Sequence, residues 1–463
     1  MIYQNLFDPF YGKKIVRAGI IGTGYFASAI VTQSRKIPLL EVPAVADLNV
    51  EAAKLAYRQA GIPDGDIVIC DSRAAALQAM DRGKYVITKN ALLLMELPLD
   101  VIVEATGAPT AGALHAYEAI RYGKHVVMVN KETDATVGPI LKHLADKAGV
   151  IYTPVDGDHP GLLTGLVSWA RSIGLDVVCG GKSRDSRNEE FVYDQSNRTV
   201  SCGAKTVTLR EKDLWILNPI PPGQTKYFVQ SRREILGELP QTAFPDMAEM
   251  AIVSNSTGLM PDIESLHNSI LHPYEIAEVL CPVEEGGILQ IRGTIEMINC
   301  FRRFHDAGMG GGVFVVVSCE NEYSRMILTQ KGLMHNSKSS TALIYRPYHL
   351  LGVEAPISIL CAALLRITTG ATKVSPLIDV AARATRKIPA GEIMDDRQIP
   401  YAESLLLPAV KVAHDVPLPF YMIYGNRLSK DVAPGMVITR AMVTEPPNSM
   451  LWRLRKEQDS LSW

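Results

Sequence analysis

A glycine-rich hexapeptide near the start of the chain has the residue types that hold a dinucleotide. It consists of Gly22, Thr23, Gly24, Tyr25, Phe26 and Ala27. The first glycine permits a tight turn, the second lets the backbone approach a pyrophosphate, and the small Ala27 keeps the next helix close to a sheet. Asp47 ends the following apolar run, where its carboxylate would accept hydrogen bonds from an adenosine ribose. The pattern predicts a nicotinamide dinucleotide site; the alternative is a structural turn that binds nothing.

The residues around Asp47 also bear on the choice between NAD and NADP. The negative charge of Asp47 opposes a 2′-phosphate, and residues 48–50 supply no cation. Lys54 follows about one helical turn later and is a cation that could reach such a phosphate. The pattern favours NAD and leaves NADP open.

Polar residues also follow apolar runs that we predict to be strands. Thr106 and Gly107 come after one run, and Asn130 and Lys131 come after the next. Ligands of open parallel sheets bind beyond the carboxyl ends of the strands, so we expect these residues beside the nicotinamide. The Lys131 ammonium would polarise a carbonyl or protonate an alkoxide. The alternative is a surface lysine paired with Glu132.

Asp156 and Asp158 follow the last predicted strand of this region. Their carboxylates could orient a hydroxyl, act as a base or bind a divalent cation. The alternative is a pair of turn-forming aspartates, because Asp and Gly dominate turns in any case.

Three further candidates lie in the middle of the chain. Lys182 follows two glycines and could hold an oxyanion, and Asp246 and Glu249 lie about one helical turn apart on a common face. Glu320 and Glu322 alternate at the end of a predicted strand, so we expect them to share a face. Such a pair could hold a divalent cation. If the reaction includes an isomerisation, a divalent metal is expected, with Asp158 and Glu320 as its predicted ligands. Each of these residues could instead be a solvated surface group.

The order of predicted elements indicates an α/β protein of three domains. Residues 1–155 alternate strands with helices, which predicts a parallel sheet of the Rossmann type covered on both faces. Residues 156–350 mix helices with strands, among them 287–296 and 313–319, and are expected to form an α+β substrate domain, for which the resemblance described below implies catalytic and dimerisation roles. An apolar helix over 355–369 is expected to pack on the first domain. Residues 373–463 consist of short strands and Pro/Gly turns, which predicts a small β-rich domain.

The composition excludes several classes of function. Lysine and arginine number 47 against 49 acidic residues, so a net charge of −2 without a basic stripe argues against nucleic-acid binding. The basic cluster at 453–456 is interpreted as part of a C-terminal tail. The sequence contains no apolar stretch of the ~20 residues that a membrane span needs. Seven scattered cysteines and a start unlike a signal peptide predict a cytoplasmic protein with reduced thiols.

Taken together, residues 22–27, 130–132 and 156–158 resemble the homoserine-dehydrogenase-like oxidoreductases. The stretch 384–392, Ala-Thr-Arg-Lys-Ile-Pro-Ala-Gly-Glu, is similar to the opening of a SAF domain, a small β-clip fold. The resemblance covers nearly the whole chain and implies a homodimer, with a catalytic domain inserted between the dinucleotide-binding and SAF domains. The subgroup includes an enzyme of isoprenoid biosynthesis that resembles 1-deoxy-D-xylulose 5-phosphate reductoisomerase in activity. That enzyme uses NADPH and a divalent metal, so the resemblance implies NADP with Mg²⁺ or Mn²⁺ as the cofactors of this chain.

The leading hypothesis is an NAD(P)-dependent oxidoreductase that acts on a small polyhydroxylated carbonyl compound or sugar phosphate, with coupled isomerisation as in a reductoisomerase. One alternative is a homoserine-dehydrogenase-like or sugar-acid dehydrogenase. Another is a non-catalytic protein that senses a dinucleotide. Lys131, Asp156 and Asp158 at the predicted strand ends favour an enzyme over a sensor.

Overall fold

The computed structural model describes residues 2–184, 190–241 and 244–463. They fall into two compact units. The first comprises Met1–Gly161, Leu350–Glu403 and Ala409–Trp463, and the second comprises Leu162–His349 and Ser404–Pro408.

A parallel sheet of seven strands forms the centre of the first unit. Its strands are β1 (Val16–Ile21), β2 (Leu40–Ala46), β3 (Ile67–Ile69), β4 (Tyr85–Thr88), β5 (Val101–Glu104), β6 (His125–Met128) and β7 (Tyr152–Pro154). The strand order is β3-β4-β2-β1-β5-β6-β7, and the residue pairing between neighbours is parallel throughout. The predicted α/β fold with a Rossmann-type sheet is confirmed.

Six helices accompany this sheet. They are α1 (Ile2–Phe7), α2 (Tyr25–Ser34), α3 (Val50–Gln59), α4 (Arg73–Asp81), α5 (Pro109–Arg121) and α6 (Lys131–Ala148). Local sequence fixes several of their ends. The Asn49 side chain caps α3 by accepting hydrogen bonds from two backbone N–H groups, and Ser72 caps α4. Gly149 ends α6 in the left-handed conformation that glycine adopts without strain.

Strand β4 is absent from the sequence-based prediction. It has four residues and lies between Gly83 and a short 3₁₀ segment over Ala91–Glu96, so its apolar run is too brief to stand out. Pairing with β2 and β3 buries it, which is a tertiary effect that local periodicity does not report.

The C-terminal part of the first unit contains α12 (Ala355–Leu360), β17 (Ile378–Ala384), β18 (Ala402–Pro408, whose last five residues belong to the second unit), α13 (Phe420–Ile423) and α14 (Met450–Ser460). Helices α7–α11 and strands β8–β16 precede these elements in the chain and belong mainly to the second unit. Helix α12 continues as one π-helical turn to Leu365, and Arg366 then adopts a positive φ of 56°, so the helix predicted over 355–369 ends early. Residues of α12 pack into the same hydrophobic core as β1 and α2.

The basic cluster at 453–456 is not a tail, and that interpretation is wrong. It lies in α14, where Trp452, Leu454 and Arg455 are almost fully buried. The apolar and charged residues alternate with helical spacing, so one face of this basic segment packs inward.

The second unit is built on a mixed sheet. Its strands are β8 (Asp176–Ser183), β9 (Phe191–Asp194), β10 (Thr199–Cys202), β11 (Lys205–Thr208), β12 (Met260–Pro261), β13 (Ser269–Leu271), β14 (Thr294–Arg303), β15 (Val313–Ser318) and β16 (Ala342–Arg346). The order is β11-β10-β9-β14-β8-β15-β16, and β12 and β13 also pair with β14. The helices are α7 (His159–Ser172, which begins in the first unit), α8 (Thr225–Ile235), α9 (Phe244–Thr257), α10 (Ile276–Val279) and α11 (Glu322–Gln330).

Two strand predictions in this unit need correction. The strand predicted over 287–296 begins only at Thr294, because the residues before it form bends from which Ile288 and Leu289 pack into the core. Strand β15 ends at Ser318, so Glu320 lies in a bend and Glu322 opens α11. The two glutamates therefore do not share a strand face. Among the described residues, no helix combines the length and apolar character needed to cross a membrane.

Candidate active site

The glycine loop between β1 and α2 has the geometry of a dinucleotide site. Gly22 adopts a φ of +85°, and a Cβ on it would lie 2.7 Å from the Ala105 carbonyl oxygen, so a larger residue does not fit. A Cβ on Gly24 would meet nothing within 4 Å, which leaves open space at the N-terminus of α2. Ala27 is buried against the sheet while Tyr25 is 83% exposed. Free N–H groups and the helix dipole suit this space to a pyrophosphate.

Asp47 lies at the carboxyl end of β2 and contacts the glycine loop directly. Its Oδ2 accepts hydrogen bonds from the Thr23 backbone N–H at 2.7 Å and from the Thr23 hydroxyl at 2.6 Å. The Asn49 N–H donates to the other carboxylate oxygen at 2.8 Å. The carboxylate is thereby fixed beside the loop. Lys54 pairs with Glu51 at 2.7 Å, so its charge is already engaged within α3.

A connected set of hydrogen bonds joins the ends of β5 and β6. The Thr106 hydroxyl donates to Glu104 Oε1 at 2.6 Å, and Gly107 follows with a φ of +65°. Asn130 Nδ2 donates to Thr106 Oγ1 at 3.3 Å and to the Ala108 carbonyl at 3.1 Å. The predicted residues of the two strand ends are therefore brought together at one edge of the sheet.

Lys131 is the first residue of α6 and follows β6 by three positions, at the edge where the sequence predicts it. Asn130 is the N-cap of this helix, because its Oδ1 accepts the Thr133 N–H at 3.0 Å. The N-terminal end of a helix dipole favours negative charge and disfavours a cation. The chain nevertheless holds an ammonium group at this helix end, on the cofactor edge of the sheet, with the acids Glu132 and Asp134 in the same turn.

Asp134 lies about one turn beyond Lys131 and is buried within the same helix. Burial raises the pKa of its carboxyl to about 6, although the hydrogen bond from the Tyr152 hydroxyl, 2.7 Å long, acts in the opposite direction. Sequence reasoning missed this group, since nothing in the helical pattern distinguishes it from a solvated acid.

Asp156 and Asp158 lie in the turn between β7 and α7. The Asp156 N–H donates to Ser358 Oγ at 2.8 Å, which ties the turn to α12. Asp158 is buried and accepts the His159 N–H at 2.9 Å; the His159 ring Nδ1 lies 3.7 Å from the same carboxylate oxygen. His159 was not among the predicted residues, because isolated histidines carry no spacing signal.

In the second unit, Lys182 on β8 is fully buried between two carboxylates of α9. Its Nζ lies 2.6 Å from Asp246 Oδ1 and forms a very short contact with Glu249 Oε2. Arg184, also buried, places its Nε 3.7 Å from Asp246 Oδ2. The two acids thus share one helix face, as the sequence predicts. Two cations and two carboxylates balance in charge, which makes their burial tolerable.

Glu320 does not lie in comparable surroundings. It is exposed and lines an open depression of about 740 Å³ together with Arg171, Arg292 and Arg325. Guanidinium groups favour an anion over a divalent cation, so this environment does not suit a metal ligand. Asp158, a buried carboxylate, suits one better.

Two family models match the chain. Residues 19–154 match the NAD binding domain of homoserine dehydrogenase, and residues 242–355 match the catalytic domain of oxidoreductase DRL.

Several relatives are 1-deoxy-D-xylulose 5-phosphate reductoisomerases. The protein from Geobacillus sp. (strain WCH70) is 27% identical over 245 residues, which cover 48% of this chain and 62% of the relative. The protein from Clostridium acetobutylicum is 26% identical over 231 residues, which cover 46% and 59%. The chain thus spans about six tenths of the length of these relatives.

Solved structures align at lower similarity. A probable dehydrogenase from Thermotoga maritima aligns with a TM-score of 0.33 at 13% identity, over 71% of this chain and 75% of that one. The myo-inositol dehydrogenase from Lactobacillus casei, solved with NAD(H) and myo-inositol, aligns with a TM-score of 0.26 at 18% identity, over 40% and 50%.

The parallel sheet, the open glycine loop and the match over residues 19–154 define an NAD(P)-binding domain. With the match of residues 242–355 to an oxidoreductase catalytic domain, they make the chain similar to the homoserine-dehydrogenase-like oxidoreductases.

Proposed function

We propose that this enzyme transfers a hydride between its nicotinamide cofactor and a small polyhydroxylated carbonyl compound or sugar phosphate. The observation that carries the proposal is the position of Lys131, a cation at the N-terminus of α6 on the cofactor edge of the sheet. Hydride transfer to a carbonyl builds negative charge on its oxygen. An ammonium held at this edge can stabilise that charge or donate a proton to it.

The nicotinamide, when bound, supplies or accepts the hydride. Lys131 holds the carbonyl oxygen and provides its proton, while Asn130 and Thr106 fix the start of α6. Lys182, with Asp246 and Glu249, forms a buried group that can pass a proton between an amine and two carboxylates. Asp156 orients a hydroxyl of the substrate.

Coupled isomerisation is the finer part of the proposal. It is supported by the DRL catalytic-domain match and by the reductoisomerase relatives. A reaction of this kind would use Mg²⁺ or Mn²⁺, with Asp158 as an oxygen ligand and without Glu320. NADP would then be the expected cofactor despite Asp47, and the enzyme would act as a homodimer with residues 373–463 as its SAF domain.

A homoserine-dehydrogenase-like dehydrogenase is the second candidate. It is favoured by the match of residues 19–154 to the NAD binding domain of homoserine dehydrogenase. Such an enzyme would oxidise or reduce its substrate without rearranging the carbon skeleton and would need no metal ion.

Nicotinamide absorbance distinguishes these candidates. The purified enzyme is incubated with NADH or NADPH and a panel of sugar phosphates, sugar acids and aspartate semialdehyde, with and without EDTA. Turnover of a sugar phosphate that EDTA abolishes and Mg²⁺ restores supports the reductoisomerase. Turnover that persists after exhaustive chelation supports a plain dehydrogenase. Binding of the cofactor without turnover across the panel contradicts the proposal.

A further inference from the structure

The side chain of Glu104 lies fully buried at the carboxyl end of β5, beneath the loop that carries Thr106 and Gly107. Its Oε1 accepts the Thr106 hydroxyl at 2.6 Å and lies 3.2 Å from His115 Nδ1 on α5. A buried carboxylate is costly unless its hydrogen bonds stabilise it. These two contacts explain how the chain tolerates Glu104 but not why an acid is placed there.

From Glu104, the hydrogen bonds continue to the start of α6. Thr106 Oγ1, which donates to Glu104, also accepts from Asn130 Nδ2 at 3.3 Å. Asn130 in turn caps α6 through the Thr133 N–H. Two hydrogen bonds through Thr106 thus connect the Glu104 carboxylate with Asn130, the residue that precedes Lys131.

Helix α5 has a glycine, Gly112, at the point where it contacts this network. A Cβ on Gly112 would lie 2.3 Å from Thr133 Oγ1, 2.5 Å from Asn130 Nδ2 and 3.0 Å from Glu104 Oε2. Glycine in a helix interior costs about 1 kcal/mol relative to alanine. The absent side chain lets three polar groups from β5 and α6 meet at one point on α5.

We propose that Glu104 is a positioning residue, which acts through Thr106 and Asn130 to hold the Lys131 ammonium in its catalytic place. The carboxylate accepts the Thr106 hydroxyl proton. This orients the Thr106 oxygen lone pairs toward Asn130 and leaves the Asn130 amide oxygen free to cap α6. The proposal rests on the proposed function of Lys131.

A double-mutant cycle tests this coupling. We expect Glu104→Ala to lower kcat by about tenfold or more with little change in cofactor Kd, and Glu104→Gln to restore most of kcat, because it retains an acceptor oxygen. In a Lys131→Ala background the same Glu104→Ala change should lower kcat less than about threefold. Equal losses in both backgrounds would overturn the proposal. If Glu104→Ala does not fold, Glu104→Asp takes its place in the double-mutant cycle, because the shorter side chain moves the acceptor oxygen away from Thr106.

Amide hydrogen exchange gives a readout that needs no substrate. Glu104→Ala should speed exchange of the Thr133 amide, which is held by the Asn130 cap. The control variant Glu118→Ala removes an acid of α5 that pairs with Arg121 instead, and it should leave this amide unchanged. Unchanged exchange in Glu104→Ala would contradict the positioning role. If Lys131→Ala keeps its kcat, the proposed function fails, whereas the exchange result still decides whether Glu104 orders the start of α6.

Discussion

At the scale of single residues, the proposed chemistry centres on Lys131, whose ammonium group lies at the first position of α6. Lys131→Ala should lower kcat by about 10²–10⁴-fold, because hydride transfer would build charge on oxygen without a nearby cation or proton donor. Lys131→Arg should also be impaired, since guanidinium keeps the charge but does not give up its proton. Cofactor Kd and Tm should change little. The control is Lys147→Ala, an exposed lysine in the last turn of the same helix. A Lys131→Ala enzyme with unchanged kcat would make Lys131 structural.

Asp47 governs the choice of cofactor in our interpretation. Asp47→Ser removes the negative charge beside the glycine loop, so the ratio of kcat/KM for NADP to that for NAD should rise. Serine can still accept a hydrogen bond from Thr23, which preserves part of the loop. Asp71→Ser, which removes an exposed acid elsewhere in the same unit, is the control. An unmoved ratio would show that Asp47 does not face the adenosine ribose.

Asp134 makes stability depend on pH in an unusual direction. Its folded pKa of about 6 exceeds the usual value of 3.8 because the carboxyl is buried, so the folded chain binds this proton more tightly than the unfolded chain does. This single group therefore makes the protein more stable as pH falls from above 6 to below 4. Asp134→Asn keeps an acceptor for Tyr152 and removes the charge. It should raise the free energy of unfolding by about 2–3 kcal/mol at pH 8.

The gain from Asp134→Asn should vanish near pH 4, where Asp134 is already neutral in the folded state. Denaturant unfolding of the two proteins at both pH values measures the difference. A gain of equal size at both pH values would mean that something other than the carboxyl charge is responsible.

At the scale of elements, the close contact of α5 with α6 depends on one glycine. Gly112→Ala would place a methyl group 2.3 Å from Thr133 Oγ1, so we expect a loss of about 1–3 kcal/mol in stability, together with weaker cofactor binding. Gly165→Ala in α7 is the matched control, since its Cβ would meet nothing within 4 Å. The control should gain up to about 1 kcal/mol from helix propensity. A stabilised Gly112→Ala protein would show that the helices can move apart without cost.

Elements whose ends are marked by local chemistry were predictable from sequence. Strand β2 ends just before Asp47, where the apolar run of the sequence ends, and Asn49 then caps α3, because an apolar run and a capping residue act over a few positions. The glycine loop is predictable for the same reason. Strands β4 and β14 were missed or misplaced, because burial by neighbouring strands and not local periodicity decides which residues pair.

The candidate site likewise has a part that could be predicted from sequence and a part that could not. Residues at the carboxyl ends of β5, β6 and β7 could be placed together, since parallel strands bring those ends to one edge. The burial of Lys182 between Asp246 and Glu249 could not be predicted from sequence, because these partners lie 64 and 67 positions away in the chain. Glu320 was placed on a strand face with Glu322 because sequence does not show that β15 ends at Ser318, nor that three arginines line the same depression as Glu320.

At the scale of the whole molecule, the first unit is completed by its last helix. Arg455 on α14 is buried and makes two hydrogen bonds to Asp379 at 2.6 and 2.7 Å, with a third to Asp459 at 2.8 Å. Arg455→Ala would leave the buried Asp379 charge unpaired, so stability should fall by about 3–5 kcal/mol. Lys456→Ala, which breaks only an exposed pair with Glu445, is the control and should cost less than about 1 kcal/mol. Equal denaturant midpoints for the two variants would contradict this role of α14.

Because the first unit consists of three separate stretches of the chain, its parts are synthesised at very different times. The parallel sheet and helices α5 and α6 are synthesised first, yet α14, which packs against both helices, emerges some three hundred residues later. All of the second unit is made in the interval. Domains generally fold as units during synthesis. The surfaces of α5 and α6 that α14 covers therefore stay exposed until α14 has been synthesised, and exposed apolar surface is what chaperones bind. A chain truncated before α14 would be unable to complete the folding of the first unit.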